Sequence, residues 1–172
     1  MNNPPYIIED VFTEVVAAVA TKLARPVFSH YEDIKELNQT LVNYNGSPNF
    51  FDKKFPLVLL KQPVTIGPSR LTQIYGEIPE LIMFIITGSD KQYTMKERLD
   101  KNYVPVVYPI LYELKNQMVL HKAFLGYASQ LQCQATKYPF WGEAQQSIFT
   151  QDVVDVMKVR FTNLKIQNNL NC

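Results

Sequence analysis

Between Ile7 and Leu23 the apolar residues Ile8, Val11, Phe12, Val15, Val16, Val19 and Leu23 recur at intervals of three and four, with Glu9, Asp10, Glu14 and Lys22 between them. That period predicts an amphipathic helix with one face for a core. Asn3 and Pro4 suit its cap and first turn, the acids come early, Lys22 and Arg25 come late, and Arg25-Pro26 ends it. After an extended Val27-Phe28, Ser29-His30-Tyr31-Glu32 has capping-box spacing. A weaker stripe of Tyr31, Ile34, Leu37 and Leu41 then predicts a second, shorter helix. Residues 43–54, with Gly46, Ser47 and Pro48 among polar neighbours, read as an exposed loop.

The pattern then changes to strands. Phe55-Pro56-Leu57-Val58-Leu59-Leu60 has the length and composition of a buried strand, and Leu81-Ile82-Met83-Phe84-Ile85-Ile86 is apolar on both faces, as a central strand requires. Between them, residues 64–77 are punctuated by Gly67-Pro68 and Gly76 and read as a hairpin or projecting arm. Gly88-Ser89-Asp90 closes the central strand, and Thr94-Met95-Lys96-Glu97 repeats the capping-box spacing. From about Val104 a stripe of Val107, Ile110, Leu111, Leu114 and Met118 predicts a helix to about residue 119, with Pro105 in its first turn and Pro109 as a kink or a later start. Tyr127 to Lys137 and Val153 to Ile166 read as a strand pair joined through a turn at Tyr138-Pro139-Phe140-Trp141-Gly142. Leu164 and Ile166 break the parity set by Val159 and Phe161, which a bulge near Thr162-Asn163 would restore. The whole predicts one α+β domain over residues 1–172, with an antiparallel-rich sheet flanked by an N-terminal and a central helix.

At 172 residues and 47% hydrophobic, the chain suits one domain with a sizeable core. Lys and Arg number 17 against 16 Asp and Glu, so the net charge of +1 argues against a strongly basic nucleic-acid-binding domain. Charged residues make up only 19%, while 12 Asn, 12 Gln and 21 aromatics are many for this length. Such a neutral surface repels itself weakly and suits a protein that lies against others, and an AT-rich genome would give the same bias. Cys133 and Cys172 provide neither a disulfide framework nor a metal-ligand spacing, which fits a reducing compartment. The N-terminus lacks the cationic start of a signal peptide, and no apolar run approaches the roughly 18 residues of a membrane span.

Candidate chemistry is sparse. His30 and His121 stand far apart without ligand spacing, and Gly67-Pro68-Ser69-Arg70 matches neither a nucleophile elbow nor a phosphate loop. Glu113-Leu114-Lys115 has the Glu-x-Lys spacing of a metal-dependent nuclease, with Asp90 or Asp100 upstream as a second carboxylate. Because the apolar stripe puts it on a helix, a solvated Glu and Lys flanking a core Leu is the favoured reading. No catalytic, cofactor-binding or metal residue is assigned. Trp141 reads as a packed turn aromatic. Phe50 and Phe51 in a polar loop, and Ile66, Arg70, Leu71, Ile74 and Tyr75 in the hairpin or arm, are the candidate interface residues.

The order of elements, with Phe55–Leu60, Tyr93-Thr94-Met95-Lys96-Glu97-Arg98, the stretch Val104 to Leu114, and Tyr138-Pro139-Phe140-Trp141-Gly142 before a final long strand, resembles the tail-terminator or tail-completion (neck ring) proteins of tailed bacteriophages. The resemblance is greatest to versions from phages and prophages of gut Bacteroidetes, including crAss-like phages, and spans about residues 7 to 166. It implies a non-enzymatic virion protein, made in the host cytoplasm. Its subunits would form a hexameric or dodecameric ring joining the portal side of the capsid to the tail. DNA would pass through the lumen without sequence-specific binding, and no cofactor or membrane would be involved. The alternatives are the metal-dependent nuclease and a cytoplasmic interaction module.

Overall fold

The computed structural model describes residues 6–45, 54–68, 75–124, 132–141 and 153–167. Helix α1 (Ile8–Leu23) buries Ile8, Val11, Phe12, Val15, Val16 and Val19, the face that its period predicts. The residue before its first turn is Ile7, which offers no side-chain cap. The cap and first turn expected at Asn3 and Pro4 fall outside the described residues. At the other end Ala24 adopts a left-handed conformation (φ 51°) and donates to the Ala20 and Thr21 carbonyls, closing the helix before Pro26.

Strand β1 (Phe28–His30) and helix α2 (Ile34–Asn45) follow. The cap of α2 is one box later than the Ser29/Glu32 spacing suggests. Asp33 Oδ1 accepts the Lys35 and Glu36 N–H groups at 2.6 and 2.9 Å, and Glu36 Oε2 accepts the Asp33 N–H at 3.2 Å. Ser29 and His30 are engaged in the sheet instead. The helix also reaches Asn45, so the expected loop at 43–54 begins later, and residues 46–53 lie outside the described residues.

Strands β2 (Leu57–Leu60), β3 (Gly67–Pro68), β4 (Tyr75–Gly88), β5 (Gln132–Trp141) and β6 (Val154–Gln167) complete a sheet of order β1-β2-β4-β6-β5, with β3 on β4. Among the described strands only β1 and β2 run parallel, α2 lying between them in the chain, and every other described pair is antiparallel. The fold is therefore α+β with a mostly antiparallel sheet, as expected.

Strand β4 is central and buried on both sides. Leu81, Met83 and Ile85 join α1 and the helix after β4 in the larger core, whereas Phe84 and Ile86 join Leu37 and Leu41 of α2 in the smaller one. The parity break in β6 has a cause different from the predicted bulge. Ile78 pairs with Leu164 and Glu80 with Thr162 in an unbroken register, yet Ile78 shares a core with Leu81, and Leu164 with Phe161. Both strands change face together across Pro79 and Asn163, so no extra residue is inserted between them. The register shift lies in β5, between Tyr138 and Trp141. Tyr138 to Trp141 are strand residues rather than the expected turn, because an edge strand tolerates Pro139, which has no N–H to give.

Between β4 and β5 the chain is helical from Met95 to Leu120 in three consecutive parts: α3 (Met95–Arg98), a π-helical segment (Leu99–Val107) and α4 (Tyr108–Leu120). The box at Thr94 and Glu97 forms as predicted, the Thr94 N–H donating to Glu97 Oε2 at 2.9 Å and the Glu97 N–H to Thr94 Oγ1 at 3.3 Å. The wide segment explains how the helix carries two prolines. Pro105 lies inside it and Pro109 in the first turn of α4, and at their junction the Tyr108 N–H reaches back five residues to the Tyr103 carbonyl. Pro109 has no N–H for the Pro105 carbonyl four residues back. Arg25 Nη1, from the end of α1, donates to that carbonyl at 2.7 Å.

Candidate interaction surface

Strands β3 and β4 form a short antiparallel hairpin, Gly67 opposite Glu77 and Pro68 opposite Gly76, over the region read as a hairpin or arm. Gly76 allows its close packing: a Cβ there would lie 2.7 Å from Ile66 Cγ2 and 3.2 Å from Ile166 Cγ2. Ile66 therefore rests one methyl on its own domain while remaining 44% exposed. Tyr75 opens β4 opposite Gln167 of β6. Phe50, Phe51, Arg70, Leu71 and Ile74 lie outside the described residues.

A second surface lies along β5, which among the described strands pairs only with β6. From Gln132 to Tyr138 its side chains on both faces are exposed, except for half-buried Cys133. Burial raises the Cys133 thiol above its ordinary pKa, the Lys115 ammonium pulls it partly back, and the side chain packs against the larger core. Lys137 likewise reaches to 5.5 Å from the Tyr103 ring and 5.0 Å from the Tyr108 ring. On the same helical run Val104 and Tyr112, four residues either side of Tyr108, are 52% and 64% exposed.

The structure also reveals a polar centre that sequence reasoning passed over. Arg98 and Asp155, both fully buried, pair through Arg98 Nη1 and Asp155 Oδ1 at 2.8 Å. Asp155 Oδ2 accepts from Asn102 Nδ2 at 2.6 Å and from Ser89 Oγ at 2.9 Å. The Ser89 hydroxyl in turn accepts from Arg98 Nη1 and Asn102 Nδ2. Arg98 also donates to the carbonyls of Asp90 (2.8 Å) and Tyr93 (3.2 Å). This network ties the π-helical segment to the ends of β4 and β6. Beside it the Tyr103 hydroxyl donates to the Val156 carbonyl at 3.2 Å. Burial, reinforced by the Asp155 charge, pushes its pKa far above the ordinary value and keeps it a donor. The available signal was Asp155 itself. It stands in phase with Met157, Val159 and Phe161 on a core-facing strand side, where a carboxylate requires a partner.

The remaining candidates are engaged in local structure. His121 ends α4 and its Nδ1 accepts the Ala123 N–H at 3.2 Å, so Nε2 is the protonated nitrogen and donates to Glu14 at 3.1 Å. His30 lies in β1, 3.4 Å from Glu32. Glu113 and Lys115 sit on α4 about 200° apart around its axis, and Glu113 accepts from Gln117 Nε2 at 2.6 Å. Among the described residues, no three His, Cys, Asp or Glu side chains are grouped to hold a metal ion, and no helix is long and apolar enough to cross a membrane. No protein-family model matches the chain, and no curated protein matches it.

Proposed function

We propose that the protein is a non-enzymatic virion subunit that forms a homo-oligomeric ring, a head–tail connector, neck or tail-terminator component around the DNA channel. The observation that carries this reading is the position of the exposed apolar residues. Ile66 on the β3–β4 hairpin and Val104 and Tyr112 on the long helix lie outside both cores, on a chain of net charge +1 that opposes self-association weakly. Ring contacts are heterologous, one patch of a subunit meeting a different patch of its neighbour, and a hairpin with a half-packed Ile66 suits one side of such a contact. A near-neutral subunit also suits a lumen through which DNA slides without being held. The ring would be hexameric or dodecameric and would sit between portal-side and tail proteins.

The genes beside this one and a nuclease assay test the reading together. Portal and tail genes should flank it, and the purified protein should leave duplex DNA intact with magnesium or manganese. Metal-dependent cutting that disappears in Glu113→Ala would overturn the proposal.

A further inference from the structure

We infer that the buried network of Arg98, Asp155, Asn102 and Ser89 is a register lock: it selects the π-helical winding of residues 99–107 over an α-helical one. It thereby sets which side chains the rest of the helical run presents outward. The inference concerns one subunit alone and is independent of the ring.

The burial pattern requires the wide winding. Arg98, Asn102, Tyr103 and Val107 are buried, whereas Leu99, Asp100, Lys101, Val104 and Pro105 are exposed. At about 100° per residue, an α-helix would spread the four buried side chains over about half a circle, with Leu99 in their midst. A π-helix, whose hydrogen bonds span five residues, closes its turn between the fourth residue and the fifth. Asn102 and Tyr103 then fall on either side of Arg98, and Val107 follows two turns on. One side of the segment holds all four, and the exposed residues take the other.

Apolar packing does not hold such a winding by itself. Burial is non-directional and tolerates small rotations, whereas hydrogen bonds weaken steeply off axis. Arg98 is held from three directions: Nη1 reaches Asp155 Oδ1 and Ser89 Oγ at 2.8 Å, Nη2 the Asp90 carbonyl at 2.8 Å, and Nε the Tyr93 carbonyl at 3.2 Å. Asn102 Nδ2 meets the same carboxylate at 2.6 Å and the same hydroxyl at 2.9 Å, and the Tyr103 hydroxyl meets the adjacent Val156 carbonyl at 3.2 Å. Rewinding from Arg98 as an α-helix would carry Tyr103 about 140° around the axis, so the Asp155 and Val156 contacts could not both survive. Buried ion pairs add little net stability over apolar side chains of similar volume, and fixing a register is their best-attested use. Val104 and Tyr112, whose exposure supports the ring reading, belong to the same run, so its winding decides where they point.

Scalar couplings across hydrogen bonds, read by NMR on the full chain, report which carbonyl each N–H meets. In the wild type the Tyr108 N–H should couple to the Tyr103 carbonyl, five residues back. The triple variant Arg98→Met, Asn102→Leu, Asp155→Leu should melt above Arg98→Ala, yet its Tyr108 coupling should move to, or be shared with, the Val104 carbonyl. A folded triple variant with one set of signals and the wild-type coupling would overturn the inference and assign the winding to packing and the two prolines. Should the triple variant not fold, Asn102→Ala, which keeps the ion pair, decides the matter. Amide exchange over residues 103–108 should quicken roughly tenfold while that of β4 stays unchanged. Exchange that is unchanged, or that quickens equally in both, would overturn the inference.

Discussion

Strands β4 and β5 belong to the same sheet, separated by β6 alone, and face opposite demands. From Leu81 to Ile86 β4 has protein on both faces and a hydrogen-bonded neighbour on each side, so its side chains serve two cores at once. From Gln132 to Tyr138 β5 has side chains open on both faces and a described neighbour on one side. Two strands of one sheet thus carry different information: β4 fills two cores at once, and β5 presents exposed side chains on both faces. The long helix between them in sequence links the two, anchored to the end of the β4–β6 ladder by Arg98 and Asp155 and reaching β5 through Tyr108.

The strongest way to break this contrast is Phe84→Asp. Phe84 faces the smaller core at 6% exposure, and an unpaired carboxylate there costs several kcal/mol, so the variant should lose cooperative melting altogether. A soluble variant with a sharp transition would show that β4 is not the core strand described here. Arg98→Ala comes next. It leaves Asp155 buried without its cationic partner and should cost about 3–5 kcal/mol in urea denaturation, whereas Arg98→Met combined with Asp155→Leu should recover much of that loss. If the single change costs no more than a surface substitution, the network does not anchor the helix.

The smallest effect belongs to Glu97. Its hydrogen bonds to the Thr94 backbone and side chain hold its pKa below the ordinary 4.5, so the capping box stabilises the folded chain above the unfolded value. That contribution is lost as pH falls through the lower, folded value. Glu97→Gln should lower stability slightly at pH 7, where the ionised carboxylate contributes, leave it unchanged at low pH, and so flatten this part of the acid denaturation profile. A profile that keeps its shape would place the titration elsewhere.

Much of the scaffold was legible in the sequence because burial imposes a period. Helix α1, strand β2, the two-sided strand at 81–86 and the box at Thr94 each follow from the spacing of apolar or capping residues. Where two readings share one local pattern, the tertiary partner decides. Ser29 and Glu32 have the spacing of a box, but pairing of β1 with β2 takes Ser29, and the helix starts from Asp33 instead. Tyr138-Pro139 has the composition of a turn, yet pairing with β6 draws it into an edge strand. The π-helical segment and the coordinated change of face in β4 and β6 leave no local signature, because both depend on what lies opposite: Arg25 at the Pro105 carbonyl, and each strand for the other. The interaction surface was the least legible. Of the residues assigned to it, Ile66 is described in full and is half-packed on Gly76. That β5 lies outermost beside β6 among the described strands emerges only from the strand order.

The central claim is that the finished domain assembles into a ring, and negative-stain imaging of the purified full chain beside its Phe51→Ser, Tyr75→Ser double variant tests it most directly. The account predicts closed rings of six or twelve subunits with an open centre for the wild type, and no rings for the double variant at an unchanged melting temperature. Wild-type protein that shows only single subunits or isolated pairs at every concentration, or a double variant that closes into the same rings, would contradict it.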